Sequence, residues 1–265
     1  MENFIVTAGV RRRRPRKIGW LIVFSFSLFF LMGCVYLRLL TFKDQLSEFD
    51  RHFAVEVQYG FILRFLDPML YSRDIHYLAK LDASRIEPLG KGERWSYVFA
   101  KMQPEGNSNG SENLVFEMDF NAKTKMTAVA FSPVFLQIVP ADFLKYSLRS
   151  LGSARVDAKN HKVYGDSAAF KGANLHPPMR EAVLKGLGAP ESMEVKDKAV
   201  VMKYRYKLLD APATESGKEQ GIASVTLQFV AETDELEKVY ANFAGMKLSI
   251  NYEGLLKKSK EFAAK

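Results

Sequence analysis

The chain has 265 residues, with 38 basic and 30 acidic side chains, a net charge of +8 and one cysteine. Residues 1–34 hold six of the basic groups and one of the acidic ones, which leaves 32 against 29, or +3, for the rest. That near-balance gives no electrostatic footprint for DNA or RNA, and a lone cysteine excludes an internal disulfide framework. About 230 residues beyond it suffice to bury a core without one.

Residues 1–17 end in the basic block RRRRPRK, and residues 18–37 follow without a charge. Twenty apolar residues span a ~30 Å hydrocarbon core at ~1.5 Å per residue. Residues 18–37 are therefore expected to form a transmembrane or signal anchor, with the basic block inside and the remainder exported. Leu31-Met32-Gly33-Cys34 resembles a bacterial lipobox, which would make Cys34 the site of lipidation. The next residues, VYLRLLTF, read as further helix rather than a polar tether. Two placements stay open: a bacterial inner-membrane anchor with a periplasmic domain, or an outer-membrane lipoprotein.

Residues 38–70 begin with Leu39, Phe42, Leu46, Phe49 and Phe53 at helical steps, a stalk or docking helix. The apolar linker 57–70 (VQYGFILRFLDPML) is expected to cover or enter the core, and Pro68 stops it.

Residues 71–138 and 176–251 repeat each other. At a constant offset of 109, Trp95, Tyr97 and Phe99 fall on Tyr204, Tyr206 and Leu208. Phe116, Met118 and Phe120 fall on Val225, Leu227 and Phe229, and Phe131 falls on Tyr240. An offset of 106 places Leu78 and Leu81 on Leu184 and Leu187. Each unit reads as a short helix, a loop and three strands. The period-two alternation predicts antiparallel strands with one packed and one wet face. NAKTK (121–125) and AETDE (231–235) suit hairpin turns. Residues 139–175 supply a connecting helix and the strand HKVYG (161–165), with Gly152 and Gly188 as left-handed helix caps. Residues 252–265 form a basic C-terminal helix. The predicted fold class is α+β, a tandem repeat of helices packed on a small antiparallel sheet, preceded by an N-terminal transmembrane or signal helix.

Helix, then Leu187-Gly188-Ala189-Pro190, then the aromatic strand Trp95, Tyr97, Phe99, then an alternating strand ending in phenylalanine resembles the SmpA/OmlA small outer-membrane lipoprotein module. It is also similar to a domain found in tandem in a secreted beta-lactamase inhibitor. The resemblance covers residues 72–131 and 178–241. It implies a pair of helices on a three-stranded antiparallel sheet, and a structural or assembly role without catalysis.

No catalytic or metal-binding set is visible. The four histidines, His52, His76, His161 and His176, show no metal-ligand spacing. Glu117 and Asp119 share one strand face, as catalytic pairs can, but alternate positions are also what a solvated face needs. The aromatics Trp95, Tyr97, Tyr204 and Tyr206 most simply supply the buried face of the sheet; in an exposed groove they would be interface anchors. Lys203, Arg205 and Lys207 of KYRYK lie on the opposite face, either a plain solvated face or a basic patch for an anionic partner. The leading function is a membrane-tethered bacterial cell-envelope protein with a non-catalytic structural, assembly or protein-binding role. A lipid-binding or lipid-sensing envelope module is the alternative, motivated by YGFILRFL and PVFLQIV, and an envelope polymer hydrolase is the third reading. The expected partners are the membrane through its anchor, an envelope protein, and a lipid or anionic glycan. No cofactor and no nucleic acid are expected.

Overall fold

The computed structural model describes residues 35–102, 112–157, 162–171, 173, 175–210, 221–243 and 246–263. The chain divides into two bodies, residues 1–38 and residues 39–265; of the first body, residues 35–38 are described and are helical. Among the described residues no helix is long and apolar enough to cross a membrane. This corrects the expected transmembrane or signal helix. The membrane partner, the periplasmic placement and the outer-membrane lipoprotein alternative lose their support with it. Residues 18–34 of the apolar run, and Cys34 with them, lie outside the described residues.

In the second body, helical residues 39–47 (α1) turn at Glu48 into the short helix Phe49–His52 (α2). Leu46 and Phe49 are buried, and Leu39 and Phe42 pack beside them, so this stretch docks on its own domain. The apolar segment that follows joins the sheet as the hairpin Phe53–Glu56 (β1) and Phe61–Phe65 (β2), burying Phe53, Phe61, Leu63 and Phe65.

The first unit then runs Ser72–Ala79 (α3), Arg85–Leu89 (β3), Gly92–Lys101 (β4), Leu114–Phe120 (β5) and Met126–Phe131 (β6). The connection holds Pro133–Leu136 (α4), Ala141–Gly152 (α5), Arg155–Asp157 (β7), Lys162–Tyr164 (β8) and a 3-10 turn at Ser167–Phe170. The same succession returns as Arg180–Leu187 (α6), Ser192–Lys196 (β9), Ala199–Leu208 (β10), Ile222–Val230 (β11) and Leu236–Phe243 (β12). Met246–Asn251 (β13) and Tyr252–Ala263 (α7) end the described chain.

The architecture is α+β, and the strands of the two repeats share one continuous sheet, larger than the small sheet expected. Eleven strands share a sheet in the order β1-β2-β6-β5-β4-β10-β11-β12-β13, with β3 on β4 and β9 on β10. The units meet edge to edge where β4 pairs antiparallel with β10, Phe99 opposite Leu208. These two residues are also equivalents at the offset of 109, so a pseudo-two-fold axis passes between them. The join removes two exposed edges, the physical gain from pairing at all. β7 and β8 form a separate two-stranded ribbon, so HKVYG does not edge the main sheet.

One face of the sheet is packed. Val200, Met202, Tyr204, Tyr206 and Leu208 alternate inward with Lys203, Arg205 and Lys207 outward, as period two requires. The connecting helix α5 buries Phe143 against Tyr252 of α7, ring centroids 4.4 Å apart, and Tyr252 Oη donates to the Ile138 carbonyl at 2.8 Å. The C-terminal helix is therefore anchored at its first residue.

Local chemistry explains several turns. Asn121 Oδ1 accepts from the N–H groups of Lys123 (2.9 Å) and Lys125 (3.1 Å), which holds the first hairpin with Thr124 at φ 57°. Its counterpart, residues 230–235, is one residue longer and places Asp234 at φ 59°. The offset therefore becomes 110 after the turn, and Phe131 corresponds to Ala241 rather than Tyr240. Gly188 caps α6 with a positive φ of 66°, but its ψ of −164° is not the left-handed helical conformation expected. Gly152 has no positive φ. It is the last helical residue of α5, and a Cβ there would lie 2.3 Å from the Ser47 nitrogen.

Candidate functional site

The aromatic residues weighed as a buried sheet face or as interface anchors lie in or against the core. Tyr97, Tyr204 and Tyr206 are 4%, 1% and 0% exposed. Trp95 is half-buried, its ring 4.9 Å from Phe120. Tyr204 Oη donates to the Gly188 carbonyl at 3.1 Å, whereas the hydroxyls of Tyr97 and Tyr206 find no hydrogen-bond partner among the described residues. Burial pushes all three phenols up. Tyr97 reaches about 12, with the Asp82 charge adding to burial, and nearby Glu112 adds to the rise at Tyr204 and Tyr206.

The basic residues lie on the opposite, open face. Arg205 holds Glu191 through two bonds, one of 2.8 Å from Nε. Lys203 sits 3.7 Å from Glu194, which Lys196 binds more closely at 2.6 Å. Further along this face Arg94 grips Asp119 at 2.6 and 2.9 Å and reaches Glu117 at 3.4 Å. The hydrogen bond to Asp119 raises the Arg94 pKa further. Asp119 thus belongs to a cross-strand row, Arg64, Ala128, Asp119, Arg94 and Glu87, and Glu117, further along the same strand, is reached by the same Arg94. The carboxylate pair of the hydrolase reading is ion-paired with an arginine. Among the described residues no His, Cys, Asp and Glu cluster could hold a metal. His52 pairs with Asp67 at 2.8 Å, and His161 lies outside the described residues.

Among the described residues an apolar cleft of about 260 Å³ opens on the packed face of the first unit. Its floor is Tyr97 and Phe99 of β4 with Phe116 and Met118 of β5. Ala79, Leu81, Phe135 and Phe243 form its sides, and Leu248 of β13, 45% exposed, stands at its rim. Phe243 closes one end edge-on to Phe99 at 5.6 Å.

The second unit shows why the cleft exists. The floor residues correspond there to Tyr206, Leu208, Val225 and Leu227, all buried. Val183 and Leu187 of helix α6, both 0% exposed, belong to the same buried core. Matching α3 to α6 residue by residue sets Ile75 on Val183 and Ala79 on Leu187. Where one unit inserts a leucine, the other has an alanine and an opening.

A buried lysine ties the two units together beside this place. Lys101, at the end of β4, donates from Nζ to the Leu187 carbonyl at 2.5 Å and to Glu112 Oε2 at 2.7 Å, 5.5 Å from the Tyr204 ring centroid. It satisfies a carbonyl at the C-terminus of α6, where a cation is also favoured by the helix dipole.

No family model, no curated protein and no solved structure matches the chain. The likeness to the SmpA/OmlA module is corrected accordingly: no model of that family matches, and two units sharing one sheet replace separate three-stranded modules. The lipoprotein and envelope assignments that leaned on it fall as well.

Proposed function

We propose that the chain is a non-catalytic recognition module that captures one apolar group, about the size of an aromatic side chain, in the cleft of its first unit. The observation that carries this reading is the Ala79–Leu187 pair: the same helix position holds a fully buried leucine in one unit and a cleft-lining alanine in the other. Size supports it. Small-molecule pockets start near ~300 Å³, whereas dry apolar cavities of ~150 Å³ already take benzene. Wall chemistry supports the absence of turnover. Tyr97 is the one titratable residue among those lining the cleft, and it is pushed towards its neutral form by burial.

The test is ligand-dependent melting with toluene, indole and naphthalene. A ligand at a hundred times its Kd stabilises by about 2.7 kcal/mol, a clear rise in Tm. Ala79→Leu, which copies the second unit, abolishes that rise while leaving the unliganded fold at least as stable. Equal ligand stabilisation in wild type and Ala79→Leu would place the binding elsewhere, and no stabilisation by any of the three would end the proposal.

A further inference from the structure

We infer that the apolar group is carried on an extended acidic peptide, which adds to the sheet along β13 and turns one side chain into the cleft. This rests on the cleft reading and names the chemistry of its partner.

β13 is an end strand. Its six residues pair with β12 on one side and with nothing on the other among the described residues. Lys247, Leu248, Ser249 and Asn251 are all exposed, so the outer edge is open to solvent. A free edge offers main-chain donors and acceptors at strand spacing, and strand addition is the recognition mode that uses them.

The two faces of β13 differ, and the difference specifies the guest. Leu248 lies opposite Ala241 and Ile250 opposite Val239, on the packed face, and Leu248 is itself part of the cleft rim. Lys247 lies opposite Asn242 and Ser249 opposite Tyr240, on the open face. An added strand continues this alternation, because side chains directly opposite one another stand ~5 Å apart. Its residue beside Leu248 faces the cleft, which takes a single apolar side chain. Its residues beside Lys247 and Ser249 face water.

Charge selects the second half of the pattern. Lys247 has no carboxylate partner among the described residues, and on the same face Lys207 follows across β10, whereas Lys203 and Arg205 there already face Glu194 and Glu191. Arg205, Ser224, Asn242 and Lys247 form one row across four strands, with a cation at each end. An edge lysine also discourages strand pairing between copies of this chain, since two lysine-bearing edges repel. An acidic guest strand turns the same residue from a barrier into a selector.

The experiment measures fluorescence anisotropy of a labelled peptide, Thr-Val-Asp-Phe-Asp-Val-Thr, on the full chain. Three companion peptides carry Ala for Phe, Lys for both Asp, or N-methylated amides along one edge. The parent binds. The Ala and N-methyl peptides each lose about tenfold or more, a difference of ~1.4 kcal/mol. The Lys peptide loses about fivefold, the upper range for an exposed charge pair. Lys247→Glu, at an exposed position that leaves the core untouched, weakens the parent and restores the Lys peptide. Ala79→Leu weakens the parent as much as the Ala peptide is weakened. Unchanged affinity on N-methylation, or no charge exchange with Lys247→Glu, overturns strand addition. Indole stabilisation with no binding of any peptide also overturns it, and leaves the cleft reading standing. Failure of both indole and peptide removes the cleft itself.

Discussion

Lys101 Nζ lies 2.5 Å from the main-chain oxygen of Leu187, 86 residues further along the chain. One belongs to a strand of the first unit and the other closes a helix of the second, so the bond crosses the seam where the two share a sheet. Lys101→Met keeps the side-chain length and leaves the Leu187 carbonyl without this donor in a buried place. Losing such a partner costs ~1–3 kcal/mol. A urea titration should show that loss as a lower midpoint with an unchanged slope.

Met118 and Leu227 are equivalent residues with unequal surroundings. Leu227 is fully buried in the core, while Met118 lines the cleft. Leu227→Ala is expected to cost ~2–5 kcal/mol, because it opens a cavity in a filled core. Met118→Ala enlarges an existing opening and should cost clearly less in the same denaturation experiment.

Alkaline pH should destabilise the protein through its buried phenols. A phenol of ordinary value 10 held up to about 12, as at Tyr97, stays protonated in the folded state where the unfolded chain has already lost its proton. Stability is therefore fully present below pH 10 and falls as pH rises towards 12. Tyr204, Tyr206 and Tyr252, also raised by burial, act in the same direction. Melting temperature against pH measures the fall. Tyr97→Phe, which removes a hydroxyl without a hydrogen-bond partner among the described residues, should make it shallower.

Gly152→Ala tests the docking of the early helix on α5. The added Cβ would meet the Ser47 nitrogen at 2.3 Å and the Leu46 carbonyl carbon at 2.5 Å, both backbone atoms that cannot swing aside. Overpacking of this kind costs ~1–3 kcal/mol. Hydrogen exchange should rise across residues 39–49 before it rises in the strands.

Strand alternation and the repeat are legible in the sequence because each follows from local periodicity: Trp95, Tyr97 and Phe99 against Tyr204, Tyr206 and Leu208 is a pattern of single positions. The shared sheet is not, since nothing in β4 or β10 alone says that their edges meet. The cleft escaped for a sharper reason. Matching Leu78 and Leu81 to Leu184 and Leu187 aligns like with like, while the helices themselves align Ala79 with Leu187. The informative position is the one where the repeat disagrees, and a search for similarity passes over it. Tyr97, Tyr204 and Tyr206 went the other way: an aromatic face reads equally well as a surface or a core until burial decides.

The axis between Phe99 and Leu208 makes the seam isologous, the geometry of a homodimer written into one polypeptide. In a true dimer every substitution is imposed on both halves, so a site must be open twice or closed twice. Covalent fusion lifts that constraint. One half can carry Leu187 and serve as ballast for the fold, while the other keeps Ala79 and its opening, with Lys101 fastening the rigid half to the receptive one.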